Sequence, residues 1–400
     1  MTLTSESTTA TLAAKLDALL AAAVAAGDVP GVTLAVATAD EVVYSGAAGR
    51  RRCDDPTPIT PDTLVWLLSQ TKVLTVVVAL QFVEAGLIGL DDPVDTLLPE
   101  LASVPVLDGF EPDGTPRTRP ATTRVTLRHL LNHTAGGGYP FFNADVRDAQ
   151  AALNIPPILA SLRETLFRTP LLHEPGTAFE YGTNIDLLGL VLEKVGGADL
   201  ETLVRTRVID PLGLQDTTAA PSAEQRTRVA SAHSRGKDGS FTPIPLESAS
   251  DPEFYAGGQY LYGTVVDYAR LLQALLRGGE LDGIRILSAE HARAGFESQI
   301  GDLKWHAITT AHPATTNDVD LLHGGDGSWG WFGVINTEPT PGRSAGSSFW
   351  AGLANSYWWV DPSRGVVGAL ATQILPFADP RVLALTEQVE KAVGEWLAAR

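Results

Sequence analysis

Two serines in this chain sit in patterns that could carry chemistry. In "LVWLLSQTKVLTVVVALQFVEAG", Ser69-Gln70-Thr71-Lys72 form a Ser-x-x-Lys set at the start of a strongly apolar run. On a helix, residues i and i+3 share a face with Cβ atoms about 5–6 Å apart, so Lys72 reaches the Ser69 hydroxyl. Free N–H groups and the dipole at a helix start favour the negative charge that builds on an attacked carbonyl oxygen. A helix apolar on nearly every face is buried, and burial disfavours an ammonium charge. A lysine held there can act as the base toward serine. The competing reading is an N-cap serine beside a solvated lysine. A second Ser-x-x-Lys, Ser234 to Lys237, lies in a polar stretch with no helix to organise it.

The other serine is Ser344, in the G-x-S-x-G pattern of Gly342 to Gly346. A nucleophile elbow of that type needs a strand before the serine, a helix after it, and then an acid and a histidine later in the chain. Here the loop-like "NTEPTP" precedes, the strand-like "SSFWAGLANSYWWV" follows, and the last of the eight histidines is His323. Ser344 is therefore expected in a turn that leads into a strand. His129 and His133 have the i, i+4 spacing of helical metal ligands, but no glutamate lies between them and no third ligand is apparent. They read as structural, and no metal or organic cofactor is expected. Tyr139, Phe141 and Phe142, after a glycine run without phosphate-loop context, are expected to wall an acyl pocket. Trp329, Trp331, Trp358 and Trp359 are expected in the sheet core, with the Trp329/Trp331 segment bordering the cleft.

These side chains need a scaffold. Four hundred residues, 44% of them hydrophobic, can build a large core. Twenty-nine basic against 47 acidic residues give a net charge of −18, which argues against nucleic acid or anionic membrane as partner. The one cysteine, Cys53, rules out an internal disulfide and suits a reducing compartment, so a cytoplasmic protein is expected. The start of the chain lacks the basic region and cleavage site of a secretory signal and reads as an amphipathic surface helix. No apolar run approaches the ~20 residues of a membrane span. The run "GVTLAVATADEVVYSGAAGR" reads as a hairpin, and three β-rich runs plus a final helix close the chain. The middle shows helical periodicity broken by Gly and Pro, with residues 108–123 and 234–251 as long loops. The expected fold is an antiparallel α/β sheet flanked by N- and C-terminal helices, with an inserted all-α domain. Residues 1–75 and 290–400 would form the sheet part and 76–289 the helical part, with the active site between them.

"SQTK" followed in order by "TLRHLLNHTAG", "PGTAFEYGTNIDLLGLVLEKVGG", "DPLGLQDT", "AGGQYLYGTVVDYARLL" and "WAGLANSYWWVDPSRGVVG" resembles the serine β-lactamase-like superfamily. Within the penicillin-binding-protein/class C β-lactamase fold, the chain looks most like carboxylesterases of the family VIII type and their transacylase cousins. The resemblance covers about residues 25–390. It implies Ser69 as nucleophile, Lys72 and Tyr181 as its catalytic partners, and the Ser69 and Leu353 N–H groups as the oxyanion hole. Two segments compete for the third family motif: His323 to Gly325, and Trp350-Ala351-Gly352. The latter is the better match because it lies on the first of two strands joined by "VDPSRG"; Trp350 and Gly352 would then contact substrate, and His323 could still line the cleft.

Two departures matter. Trp350 replaces the basic residue that would hold a substrate carboxylate, and Thr183 replaces the asparagine of Tyr-x-Asn. Both favour small neutral esters over β-lactams or D-alanyl peptides. Asp186 is expected either to accept the Trp350 indole N–H or to cap its helix. The expected activity is a serine carboxylesterase, with transacylation as an option, working through an acyl-enzyme on a small-molecule ester. Alternatives are a β-lactamase or D-amino-acid peptidase, or a non-catalytic ligand-binding relative; the oligomeric state is left open.

Overall fold

The computed structural model describes residues 5–400, with side chains from residue 9 onward. The reading of the first four residues lies outside these. Helix α1 (Ser5–Ala25) buries Leu12, Leu16, Leu20 and Ala23, spaced i, i+4 and i+3 on one stripe, as an amphipathic helix must. Strands β1 (Gly31–Thr38) and β2 (Val42–Gly49) form the expected hairpin. The remaining strands of the main sheet come from the far end of the chain: β3 (Gly327–Trp329), β4 (Val334–Asn336), β5 (Ser348–Gly352), β6 (Ser356–Asp361) and β7 (Val366–Ala371). The order is β3-β4-β5-β6-β7-β1-β2, antiparallel throughout.

Every residue of β5, β6 and β7 is buried, so the sheet is covered on both faces, because successive side chains point to opposite sides. On one face Tyr44 of β2 donates to Asp17 of α1 at 2.7 Å, and the C-terminal helix Pro380–Ala398 packs beside α1. On the other face the register aligns Trp350, Trp358, Ala369 and Ala35. The small residues Ala35, Ala37, Ala369 and Ala371 let a helix lie close on that face. It is occupied by the helix Val265–Leu276, whose Tyr268 ring meets Trp358.

The helical part holds α2 (Thr71–Glu84), buried along almost its whole length, packed on α3 (Asn184–Gly196). Two segments expected as loops are hairpins instead. Val106–Phe110 pairs with Pro116–Arg119, and Ala232–Arg235 pairs with Phe241–Ile244. The second hairpin also pairs in parallel with Ile374–Leu375. Gly114 and Gly239 at their tips adopt φ of +85° and +86°, the left-handed turn conformation that glycine reaches without strain. Polar composition hid these strands, since short exposed hairpins carry no apolar alternation. No described helix is long and apolar enough to cross a membrane.

Candidate active site

Ser69 sits in a 3₁₀ turn, Leu68–Gln70, that runs directly into α2. The preceding Leu68 has φ +50°, a left-handed conformation that costs a branched residue about 1–3 kcal/mol and is held only by surrounding packing. Leu68 is buried, and the Tyr268 hydroxyl donates to the Gln70 carbonyl at 3.0 Å, pinning the turn against the helix on the sheet face. The turn is thus fixed from two sides before any chemistry begins.

Lys72, the second residue of α2 and one turn on from Ser69, is 3% exposed. Its Nζ lies 3.1 Å from Ser69 Oγ, 3.1 Å from the Tyr139 hydroxyl and 3.1 Å from the Gly258 carbonyl. Three partners suit both forms of the side chain. An ammonium donates to all three; a neutral amine donates to Gly258 and Tyr139 and turns its lone pair to the Ser69 hydroxyl.

Behind this amine lies Asp186, fully buried at the start of α3. Its Oδ2 accepts from Tyr139 at 3.1 Å and its Oδ1 from the Gly258 N–H at 2.9 Å. Burial pushes the Asp186 carboxyl up, opposed by the Lys72 charge and by these donors. Burial, reinforced by the Asp186 charge, drives the Tyr139 hydroxyl well above its usual value, so Tyr139 remains a neutral donor. Residue 258 must be glycine: a Cβ there would fall 2.8 Å from Asp186, 2.9 Å from Lys72 Nζ and 3.0 Å from the Tyr139 hydroxyl.

These contacts correct two expectations. Tyr139 does not wall a pocket; it is 2% exposed and bonds Lys72. Asp186 does not receive the indole of Trp350, which instead donates to the Tyr181 hydroxyl at 2.9 Å.

Tyr181 is brought to the site through its ring as well as its hydroxyl. Lys72 Nζ stands 5.0 Å from the ring centroid, and the Trp350, His133 and Trp329 rings lie 4.6, 4.8 and 5.6 Å away. Trp329 therefore joins the sheet to the site, while Trp358 and Trp359 are core. The side chain of Asn184, one residue beyond Thr183, laces this region together. It donates to the Gly137 carbonyl at 3.0 Å and meets His133 Nδ1 at 3.0 Å, while its Oδ1 accepts from the Gly137 N–H at 3.3 Å. Asn184 thus bonds Gly137 and His133, and the side-chain oxygen beside the Lys72 amine besides that of Ser69 is the Tyr139 hydroxyl. Burial holds His133 well below the ordinary histidine range, with the Lys72 charge adding to the effect. His129 closes the N-terminal capping box of its short helix through Thr126, a structural role.

Strand β5 ends against the Ser69 turn. A Cβ on Gly352 would lie 2.5 Å from the Leu67 carbonyl oxygen, so only glycine allows this approach, and Leu353 follows directly. Ser344 lies apart, in the turn between β4 and β5, where its N–H donates to Asp361 at 2.8 Å and its carbonyl accepts from Asn336. His323 is exposed and pairs with Glu387 of the C-terminal helix at 3.1 Å, outside the Ser69 network. A cavity of about 570 Å³ between Trp66, Arg226 and Tyr262 contains none of Ser69, Lys72 or Tyr181. A smaller one, of about 220 Å³, opens beside Tyr181.

The model of the Beta-lactamase family matches residues 16–392. The chain belongs to the Beta-lactamase family. Within that family it is 30% identical to the monacolin J acid methylbutanoyltransferase of Aspergillus terreus, over 86% of this chain and 85% of that one. It is 28% identical to the lovastatin esterase of Penicillium rubens, over 90% and 93% of the two chains. A mutant of the simvastatin synthase of Aspergillus terreus superposes with a TM-score of 0.80 at 29% identity, covering 95% of this chain and 98% of that one. The chain thus has the β-lactamase/transpeptidase-like fold, and its similar relatives include both acyl transferases and an esterase, which supports serine acyl-transfer chemistry.

Proposed function

We propose that this member of the Beta-lactamase family is a carboxylesterase of the family VIII type that also transfers acyl groups to acceptor alcohols. The observation that carries this reading is the buried Lys72 amine, whose Nζ lies 3.1 Å from Ser69 Oγ and also contacts the Gly258 carbonyl and the Tyr139 hydroxyl. Lys72 accepts the Ser69 proton as Oγ attacks the ester carbonyl, and the resulting ammonium is held by three acceptors with the Asp186 carboxylate behind them. We assign the developing oxyanion to the Ser69 and Leu353 N–H groups, Leu353 following the Gly352 that packs against the Leu67 carbonyl. Tyr181, oriented by the Trp350 N–H, delivers a proton to the leaving alkoxide. Water or an acceptor alcohol then enters by the reverse steps and frees the acyl group.

Trp350 presents an indole, not a cation, on the strand beside Ser69, so an acyl part without a carboxylate suits the site. That counts against β-lactams and D-amino-acid peptides as substrates. We place the site between the sheet and the helical insert, and the protein in the cytoplasm, where the free, half-buried Cys53 stays reduced. The test is hydrolysis of 4-nitrophenyl butyrate against nitrocefin by wild type and Ser69→Ala. Ester turnover that vanishes in the variant supports the reading, and faster nitrocefin than ester turnover would replace it with the β-lactamase alternative.

A further inference from the structure

The cavity beside Tyr181 has a composition that the ester chemistry does not require. Its walls include four aromatic rings, Phe142, Phe179, Tyr181 and Trp305, together with the carboxylate of Glu180. The rings stand in pairs, Phe179 against Trp305 at 5.6 Å and Phe142 against Tyr181 at 6.1 Å. Among the described residues no lysine or arginine lines it; His306 is the basic side chain in the wall, and its Nδ1 lies 3.1 Å from the Ala307 carbonyl. Glu180 is half-buried and takes one side-chain donor, Asn143 Nδ2 at 3.3 Å on Oε1. Burial raises the Glu180 carboxyl, opposed by the His306 charge and the Asn143 donor, while Asp145 adds a second negative charge nearby. A partly desolvated carboxylate is thus lodged among aromatic rings, with His306 as the one basic side chain among the described lining residues and no fixed cation beside it. Aromatic faces and a carboxylate are the surroundings that attract a substituted ammonium, the rings through their quadrupoles and the carboxylate through its charge.

We propose that this cavity is an alcohol-side subsite for an alkylammonium group, and that the enzyme acts on esters of amino or quaternary-ammonium alcohols. The inference rests on the Ser69 reading and extends it: the acyl part stays uncharged beside Trp350, and the alcohol part carries the positive charge. The alcohol side is assigned because Tyr181, the residue that protonates the leaving alkoxide, forms one wall. The volume of about 220 Å³ lies below the ~300–1,000 Å³ of sites for drug-sized ligands, which suits a compact head such as trimethylammonium. A carboxylate in the same place would face Glu180, with Asp145 close to it, and be disfavoured by like charge.

The experiment compares butyrylcholine, its uncharged isostere 3,3-dimethylbutyl butyrate and a carboxylated butyrate ester of similar length, followed by acid release at constant pH. The expected kcat/KM for butyrylcholine exceeds that of the isostere by at least about tenfold, with the carboxylated ester last, and Glu180→Gln shrinks the first ratio by about tenfold. Equal kcat/KM for the choline ester and its isostere, or an unchanged ratio in Glu180→Gln, overturns the proposal. If no ester is cleaved, the Ser69 reading fails, and the pocket is then judged by calorimetric titration of choline into the wild-type protein. Binding that weakens in Glu180→Gln supports the subsite, and absence of binding overturns it. Should Glu180→Gln misfold, competitive inhibition of wild-type 4-nitrophenyl butyrate hydrolysis by choline, stronger than that by 3,3-dimethylbutanol, supports the subsite; equal inhibition overturns it.

Discussion

Replacing Asp186 by asparagine isolates the electrostatic work assigned to the core of the site. The hydrogen-bonded chain from Lys72 Nζ through Tyr139 to Asp186 Oδ2 has two links of 3.1 Å, which places charge and counter-charge within about 6 Å. At an effective dielectric constant of ~20, unit charges at that distance attract by about 3 kcal/mol. That is the stabilisation of the Lys72 ammonium that the Asp186→Asn variant would lack in the attack step, equivalent to about a hundredfold in rate. Relaxation of the neighbours softens the loss, so the expected fall in kcat for 4-nitrophenyl butyrate is about tenfold to a hundredfold, with little change in KM because Asp186 is fully buried behind the amine. Stability should move differently. Burial raises the folded-state pKa of Asp186, so its ionised form costs the fold from the unfolded carboxyl value upward, and removing the charge does not lower the melting temperature at neutral pH. In wild type, protonation of Asp186 on acidification should remove activity in the same way, and the asparagine variant should lack that limb of its pH profile. A folded Asp186→Asn enzyme with wild-type kcat would refute the reasoning.

Other outcomes follow from the same geometry. Gly258→Ala forces a methyl group into Asp186, Lys72 and Tyr139; it should cost about 1–3 kcal/mol of stability by thermal melt and lower kcat by at least about tenfold. Trp350→Phe removes the donor to Tyr181 Oη; a fall in kcat of about tenfold is expected, consistent with a hydrogen bond worth about 0.5–1.5 kcal/mol, read by steady-state kinetics. His129, His133, His173 and His233 are all held low by burial. For such groups the unfolded chain takes up protons first, so melting temperature should fall as pH drops from about 6.5 toward 5, as calorimetry across that range would register. Ser344→Ala should retain most ester turnover, because that residue bonds its turn through its backbone N–H and carbonyl, apart from the Ser69 network.

Much of this arrangement was legible in the sequence because periodicity and order carried it. The apolar run after Lys72 fixed a buried helix, and the helical insert between β-rich ends followed from the change of period at about residue 70. Ser344 was legible as a turn because the chain after it alternates as a strand, and β5 begins at Ser348. The Tyr139–Asp186–Gly258 network was not legible. Its members are 47 and 72 residues apart and meet only through tertiary packing, and a carbonyl partner such as Gly258 leaves no signature in residue type. Asp186 stands out in the sequence, yet its direction does not, since helix position alone does not say which neighbour faces it. Glu180 gives no signal in the sequence for the same reason: it lines the cavity beside Tyr181 only because Trp305 and Phe142 arrive from distant segments.

The central claim is that Ser69 carries the acyl group. Intact-mass analysis of the enzyme quenched during turnover of a panel of 4-nitrophenyl esters, followed by peptide mapping, tests it most directly. The account predicts a mass increase equal to the acyl group on the peptide containing Ser69, absent in Ser69→Ala together with at least about a thousandfold loss of turnover. An adduct on another residue such as Ser344, or near-wild-type turnover by Ser69→Ala, would contradict it.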